Sequence, residues 1–168
     1  IPFIIRYPER VKAGSAEEKF VDINDILPTV LDVAGVSYPN PEILPGESVF
    51  VDKGTKDRSV QYVEHGHGSG RWVSLRNKQY KYNYYYGGGK EELFDMLHDP
   101  DETTNLLYQN PEADILAAKE KLKVGLIELE KEYGLEGYVK EGQFVVLDDY
   151  RVFFCRENNP TMFPEKQA

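Results

Sequence analysis

The sequence predicts an α/β chain of the α+β kind: a buried strand and a helix, then an antiparallel sheet packed by one long helix. Three observations carry this reading. IPFII at 1–5 is an almost wholly apolar run, as expected of a strand buried on both faces of a sheet. Residues 59–96 alternate apolar and polar with period two and are rich in Val, Tyr, Phe and Trp. From Glu112 to Tyr133 the apolar residues return every three or four positions, the spacing of one helix face.

The opening strand ends at Tyr7-Pro8, Val11 to Ser15 is a turn-rich exit, and Phe20 to Ile23 suits a second short strand. NDILPTVLDVAGV then predicts a helix capped by Asp22 or Asn24, with Pro28 in its first turn and Gly35 as its stop. Its apolar stripe is Ile26, Leu27, Val30, Leu31 and Ala34. Pro39, Pro41 and Pro45 make the following stretch an irregular connection.

These signals place one domain part at 1–50, a linker at 51–56 and a second part at 57–134. In the second part SVQYVEH, RWVSLRNKQYKYNYYY and EELFDML form a meander, with GGGK at 87–90 as its last turn. Glu-Glu follows Lys90, so the glycines do not match a phosphate-binding loop. Alternation sets Tyr80, Tyr82, Tyr84 and Tyr86 on one face and Lys81, Asn83 and Tyr85 on the other. Asn110-Pro111 opens the long helix at 111–133, and Gly134 ends it. Residues 135–168 are an extension, with QFVVL and YRVFFC as a hairpin over 143–155.

A formal charge of −9 disfavours nucleic acid as a partner, because phosphate binding needs clustered Lys and Arg. No apolar run approaches the roughly 20 residues that span a bilayer, so no membrane span is expected. The chemistry concentrates in VEHGHGSGRW at 63–72, which holds two of the three histidines and the one tryptophan. Glu64, His65 and His67 fall short of the four ligands of a closed zinc site, and no matching Cys/His pair follows. Cys155, between Phe154 and Arg156, reads as an inert core thiol. Asp99, Asp101, Glu102, Asp148 and Asp149 stand beside turn signals and read as caps.

Five segments in order resemble the C-terminal part of a sulfatase, in the alkaline-phosphatase-like superfamily. IPFIIRYPERVKAG resembles the family's buried strand and its Val-Lys-x-Gly exit, and DILPTVLDVAGV at 25–36 resembles the helix that follows. GES at 46–48, LRNKQYKY at 75–82 and ELFDMLHDPDETTNL at 92–106 complete the series. Asn77 and Gln79 stand where the family carries threonine and arginine.

The resemblance implies a fold in which 1–50 closes an alkaline-phosphatase-like α/β sheet and 57–134 is the C-terminal subdomain over the active-site mouth. It implies hydrolysis of the sulfate esters of a sulfated carbohydrate by a formylglycine beside a calcium ion. Both would lie in an N-terminal catalytic domain upstream of Ile1, leaving no catalytic residue, metal ligand or cofactor in this chain and the chain alone inactive. It also implies a periplasmic or secreted location. The residues expected to meet substrate are His65, His67, Arg71 and Trp72: arginine suits sulfate, histidine a sugar hydroxyl, and tryptophan a sugar face. A non-catalytic carbohydrate- or protein-binding module is the alternative from another class, and a phosphatase or phosphodiesterase relative the alternative within enzymes.

Overall fold

A computed structural model of the chain describes residues 3–50, 58–108 and 110–148. The chain divides into two units, 1–61 and 62–168.

In the first unit, Asp22 starts a 3-10 turn over Ile23–Asp25 that runs into α1 (Ile26–Ala34). Asp22 Oδ1 accepts from the Asn24 amide at 2.8 Å, and Asp25 Oδ2 accepts from the Asp22 amide at 2.9 Å, a reciprocal capping box. Gly35 ends α1 in the left-handed conformation at φ 64°. Asp25 is only 2% exposed and joins three parts of the unit. Its Oδ1 accepts from the Glu47 amide at 2.9 Å and from Arg58 Nη2 at 2.8 Å, while Arg58 Nη1 donates to Oδ2 at 2.9 Å. Thr29 continues the join, donating to the Asp25 carbonyl at 2.6 Å and accepting from the Val49 amide at 3.1 Å.

Among the described residues, two segments expected as strands are not in strands. Phe3 to Arg6 and Phe20 to Asp22 lie outside regular structure, and Ile23 belongs to the 3-10 turn. Among the described residues neither segment has a strand to pair with, and an extended segment becomes a strand only through a neighbour's hydrogen bonds. Ile4 is accordingly 91% exposed. The stripe on α1 is likewise uncovered at Ile26, Leu27 and Val30.

Apart from Gln61, the second unit holds the meander as a four-stranded sheet in the order β1 (Gln61–His65), β2 (Trp72–Arg76), β3 (Tyr80–Tyr85), β4 (Lys90–Asp95). β2 pairs antiparallel with β3, aligning Trp72 with Tyr85 and Leu75 with Tyr82, and β3 pairs antiparallel with β4 across the glycine turn. Asn105 Oδ1 accepts from the Leu93 amide at 3.1 Å and its Nδ2 donates to the Glu91 carbonyl at 3.3 Å, which satisfies backbone groups of β4. Asp99 caps the preceding turn through the amides of Thr103 and Thr104. Lys81 Nζ lies 2.8 Å from both carboxylate oxygens of Glu102.

The long helix α2 (Ala113–Glu132) packs on β2 and β3. Leu122, Leu126 and Ile127 meet the core that Val73, Leu75, Tyr82 and Leu93 supply from the sheet. The helix starts at Ala113 rather than at Pro111. Asn110, at φ 52°, is left-handed, and Glu112 takes the extended N-cap conformation.

Gln143 and Phe144 of QFVVL pair with the segment before them. Val139 faces Phe144 and Lys140 faces Gln143, so β5 (Val139–Lys140) and β6 (Gln143–Phe144) form a hairpin around Glu141-Gly142. Both turn residues have positive φ, 51° and 75°, the geometry of a two-residue hairpin turn that Glu-Gly accommodates. Tyr138 and Phe144 pack into the core, with the Phe144 ring stacked on Tyr84 at 4.3 Å. Part of the expected extension is thus core of the second unit. The 51–56 linker, Asp149, YRVFFC and Cys155 lie outside the described residues.

Burial alone would raise the Asp25 carboxyl, but hydrogen bonds from Arg58 and from the Glu47 and Asp22 amides hold it below its ordinary value. A depressed carboxylate stabilises the fold above its unfolded pKa and loses that contribution as pH falls through the folded value. The stability gap between wild type and Asp25→Asn, measured by urea unfolding, should therefore narrow below about pH 4. An equal gap at pH 3 and pH 7 would show that the network does not depend on the charge.

Candidate functional site

VEHGHGSGRW spans the end of β1, a loop with a 3-10 turn at Gly68–Gly70, and the start of β2. Gly66 turns the chain at φ 80°, and a Cβ there would lie 2.8 Å from the Gly70 carbonyl oxygen, so the loop closes too tightly for a side chain. The structure divides the four expected site residues into two groups. His65 and His67 are exposed and Trp72 is half-buried, while Arg71 is only 2% exposed.

Arg71 points into the unit. Its Nη2 donates to Glu130 Oε1 at 2.8 Å and also pairs with Glu64. Glu130, on the last turn of α2, is 3% exposed. It accepts from the Tyr86 hydroxyl at 2.7 Å on Oε2 and from the Tyr62 hydroxyl on Oε1. One buried carboxylate thus takes three donors, from β1, from the end of the loop and from the residue after β3. Burial opposes the charge on Arg71, but Glu64 and Glu130 outweigh it and hold the guanidinium charged. Burial and the Glu130 carboxylate push both phenols up, so Tyr62 and Tyr86 remain donors.

The Arg71 guanidinium also lies over the Tyr138 ring, 4.9 Å from its centroid. On the β1 side the His65 ring sits 5.8 Å from Trp72, and Trp72 sits 6.5 Å from Tyr85, its register partner on β3. Tyr85 donates to Glu92 Oε2 at 2.8 Å. An imidazole, an indole and a phenol therefore follow one another across three strands, a surface suited to a sugar's C–H face and hydroxyls.

Sequence reasoning missed Glu130, because a glutamate among the lysines and glutamates of an amphipathic helix reads as part of the solvated face. It also missed Tyr138. A usable signal existed for Glu130: it lies on the helix face of Leu122, Leu126 and Ile127. Among the described residues no group of three or more His, Cys, Asp or Glu side chains is placed to hold a metal ion. No described helix is long and apolar enough to cross a membrane.

Removing one member of a buried ion pair strands the other and costs about 3–5 kcal/mol. Glu130→Ala should therefore lower the melting temperature by many degrees and speed amide exchange across 66–71. Glu130→Gln, which can still accept hydrogen bonds, should fall between the two. Unchanged melting in Glu130→Ala would contradict the geometry.

The model of the family N-sulphoglucosamine sulphohydrolase, C-terminal, matches residues 1–132. An N-acetylglucosamine-6-O-sulfatase of Bacteroides thetaiotaomicron is 30% identical over 143 residues, covering 79% of this chain and 25% of that protein. Arylsulfatase K of Bos taurus is 32% identical over 124 residues, covering 67% of this chain and 23% of that protein. A protein solved in complex with its substrate D-glucosamine-2-N,6-O-disulfate superposes with a TM-score of 0.59 at 27% identity, over 77% of this chain and 28% of that one. The chain spans about a quarter of the length of the curated relatives it matches. The structural neighbours are sulfatases of the alkaline-phosphatase-like fold, as the sequence resemblance implies. The chain belongs to the N-sulphoglucosamine sulphohydrolase C-terminal family and is the C-terminal part of a sulfatase.

Proposed function

We propose that the protein carrying this chain hydrolyses sulfate esters of a sulfated carbohydrate, and that this chain shapes its substrate pocket. The carrying observation is the histidine loop: His65 and His67 reach solvent while the backbone beneath them is tied to a buried ion pair. Such a loop can offer hydrogen bonds to sugar hydroxyls without losing much freedom on binding. Relatives named for sulfated-sugar substrates support the reading.

Within it, His65 and His67 donate to or accept from the sugar, and Trp72 lies against its ring. Arg71 is engaged with Glu130 and Glu64, so its part is to position the loop rather than to reach for sulfate. Calcium and formylglycine, supplying metal-stabilised attack on sulfur, belong to an N-terminal catalytic domain outside these 168 residues. The uncovered apolar residues Ile26, Leu27 and Val30 of α1 are suited to packing against that domain. By itself the chain is inactive, and its setting is the periplasm or the cell exterior.

In the full-length protein, His67→Ala and His65→Ala should each cut kcat/KM on a sulfated disaccharide by roughly tenfold, the scale of one or two lost hydrogen bonds. Turnover of a small aryl sulfate, which does not reach the loop, should be nearly unchanged. Equal losses on both substrates would contradict a substrate-facing loop.

A further inference from the structure

The region matched by the family model ends at residue 132, yet the histidine loop rests on a residue beyond it. Tyr138, immediately before β5, is 9% exposed and touches the loop at three points. Its hydroxyl accepts from the Gly68 amide at 2.6 Å. Its ring meets the His67 ring edge-on, with centroids 6.5 Å apart and planes at 79°. The same ring lies 4.9 Å from the Arg71 guanidinium carbon. Tyr138 is itself held in place, packed edge-on to Tyr86 at 4.7 Å and followed directly by the β5–β6 hairpin.

Gly68 has φ 58°, and its amide begins the 3-10 turn that carries the chain from His67 to Arg71. An exposed histidine is otherwise free to choose among rotamers. With the following amide anchored and a ring against its imidazole, His67 keeps one direction. The geometry points to Tyr138 as a specificity-determining, positioning residue: the hairpin over Val139–Phe144 aims His67 at the sugar through Tyr138. This rests on the reading of His67 as a sugar-binding residue. It adds that selectivity among sulfated sugars is set partly from a hairpin outside the family-matched region, so that changing the hairpin retunes the pocket without touching it.

The test uses the full-length protein with Tyr138→Phe, which keeps the ring and removes the acceptor, and Tyr138→Leu, which removes both. For Tyr138→Phe the KM for a sulfated disaccharide should rise roughly three- to tenfold with little change in kcat, the scale of one hydrogen bond. Turnover of a small aryl sulfate should stay at the wild-type level. Hydrogen exchange read by mass spectrometry should quicken in the peptide covering 66–72 and stay unchanged in α2. Tyr138→Leu should exceed Tyr138→Phe in both effects. If His67→Ala raises the disaccharide KM and neither Tyr138 variant does, the positioning role is overturned while the substrate-facing loop stands. If His67→Ala itself leaves the disaccharide KM unchanged, the reading of the loop fails and this inference falls with it.

Discussion

A carboxylate without water costs several kcal/mol unless donors replace its hydration, and Glu130 makes the second unit answer that demand. Its partners come from separate places in the chain: Tyr62 on β1, Arg71 at the end of the loop and Tyr86 beyond β3. The charge can stay buried only while those segments and the end of α2 remain in register. The constraint reaches past the helix, because a side chain at Gly134 would put its Cβ 2.7 Å from Glu130 Oε1. Apolar packing of Leu122 and Leu126 on the sheet supplies stability, but it is non-directional. The directional ties to Glu130 fix where the histidine loop stands.

This arrangement gives the two sides of the loop separate tasks. Below it lie Arg71, Glu130 and the Tyr86 and Tyr138 rings, withdrawn from solvent. Above it, His65, His67 and half-buried Trp72 remain available to a ligand. In the proposed reading, a loop held on a rigid support loses less entropy when a flexible, polar ligand such as a sugar is bound. The first unit follows the same logic at smaller scale, with Asp25 gathering Arg58, the 3-10 turn and the strap through Glu47.

Local signals in the sequence read well wherever the structure depends on local chemistry. Period-two alternation located the meander, three-and-four spacing located α2, and Gly35 and the GGGK turn fell where left-handed backbone was needed. Reading failed where a segment depends on distant partners. IPFII has strand composition, but its described residues find no neighbour to complete a ladder. The β5–β6 hairpin around Glu141-Gly142 went unread, because two-residue strands carry no periodicity. The loop itself was visible as an unusual concentration of His, Arg and Trp. The inward direction of Arg71 was not, since nothing near it in sequence distinguishes a buried guanidinium from a ligand-binding one.

The central claim is that the Arg71–Glu130 pair acts as one device that holds the histidine loop for its ligand. A double-mutant cycle with Arg71→Met and Glu130→Leu, read on the disaccharide KM and on stability, tests it most directly. The account predicts that each single change is damaging and that the double variant is no worse than either, because the stranded charge has been removed. Independent, additive losses in the double variant would show that the two residues do not work as a pair, and would contradict the account.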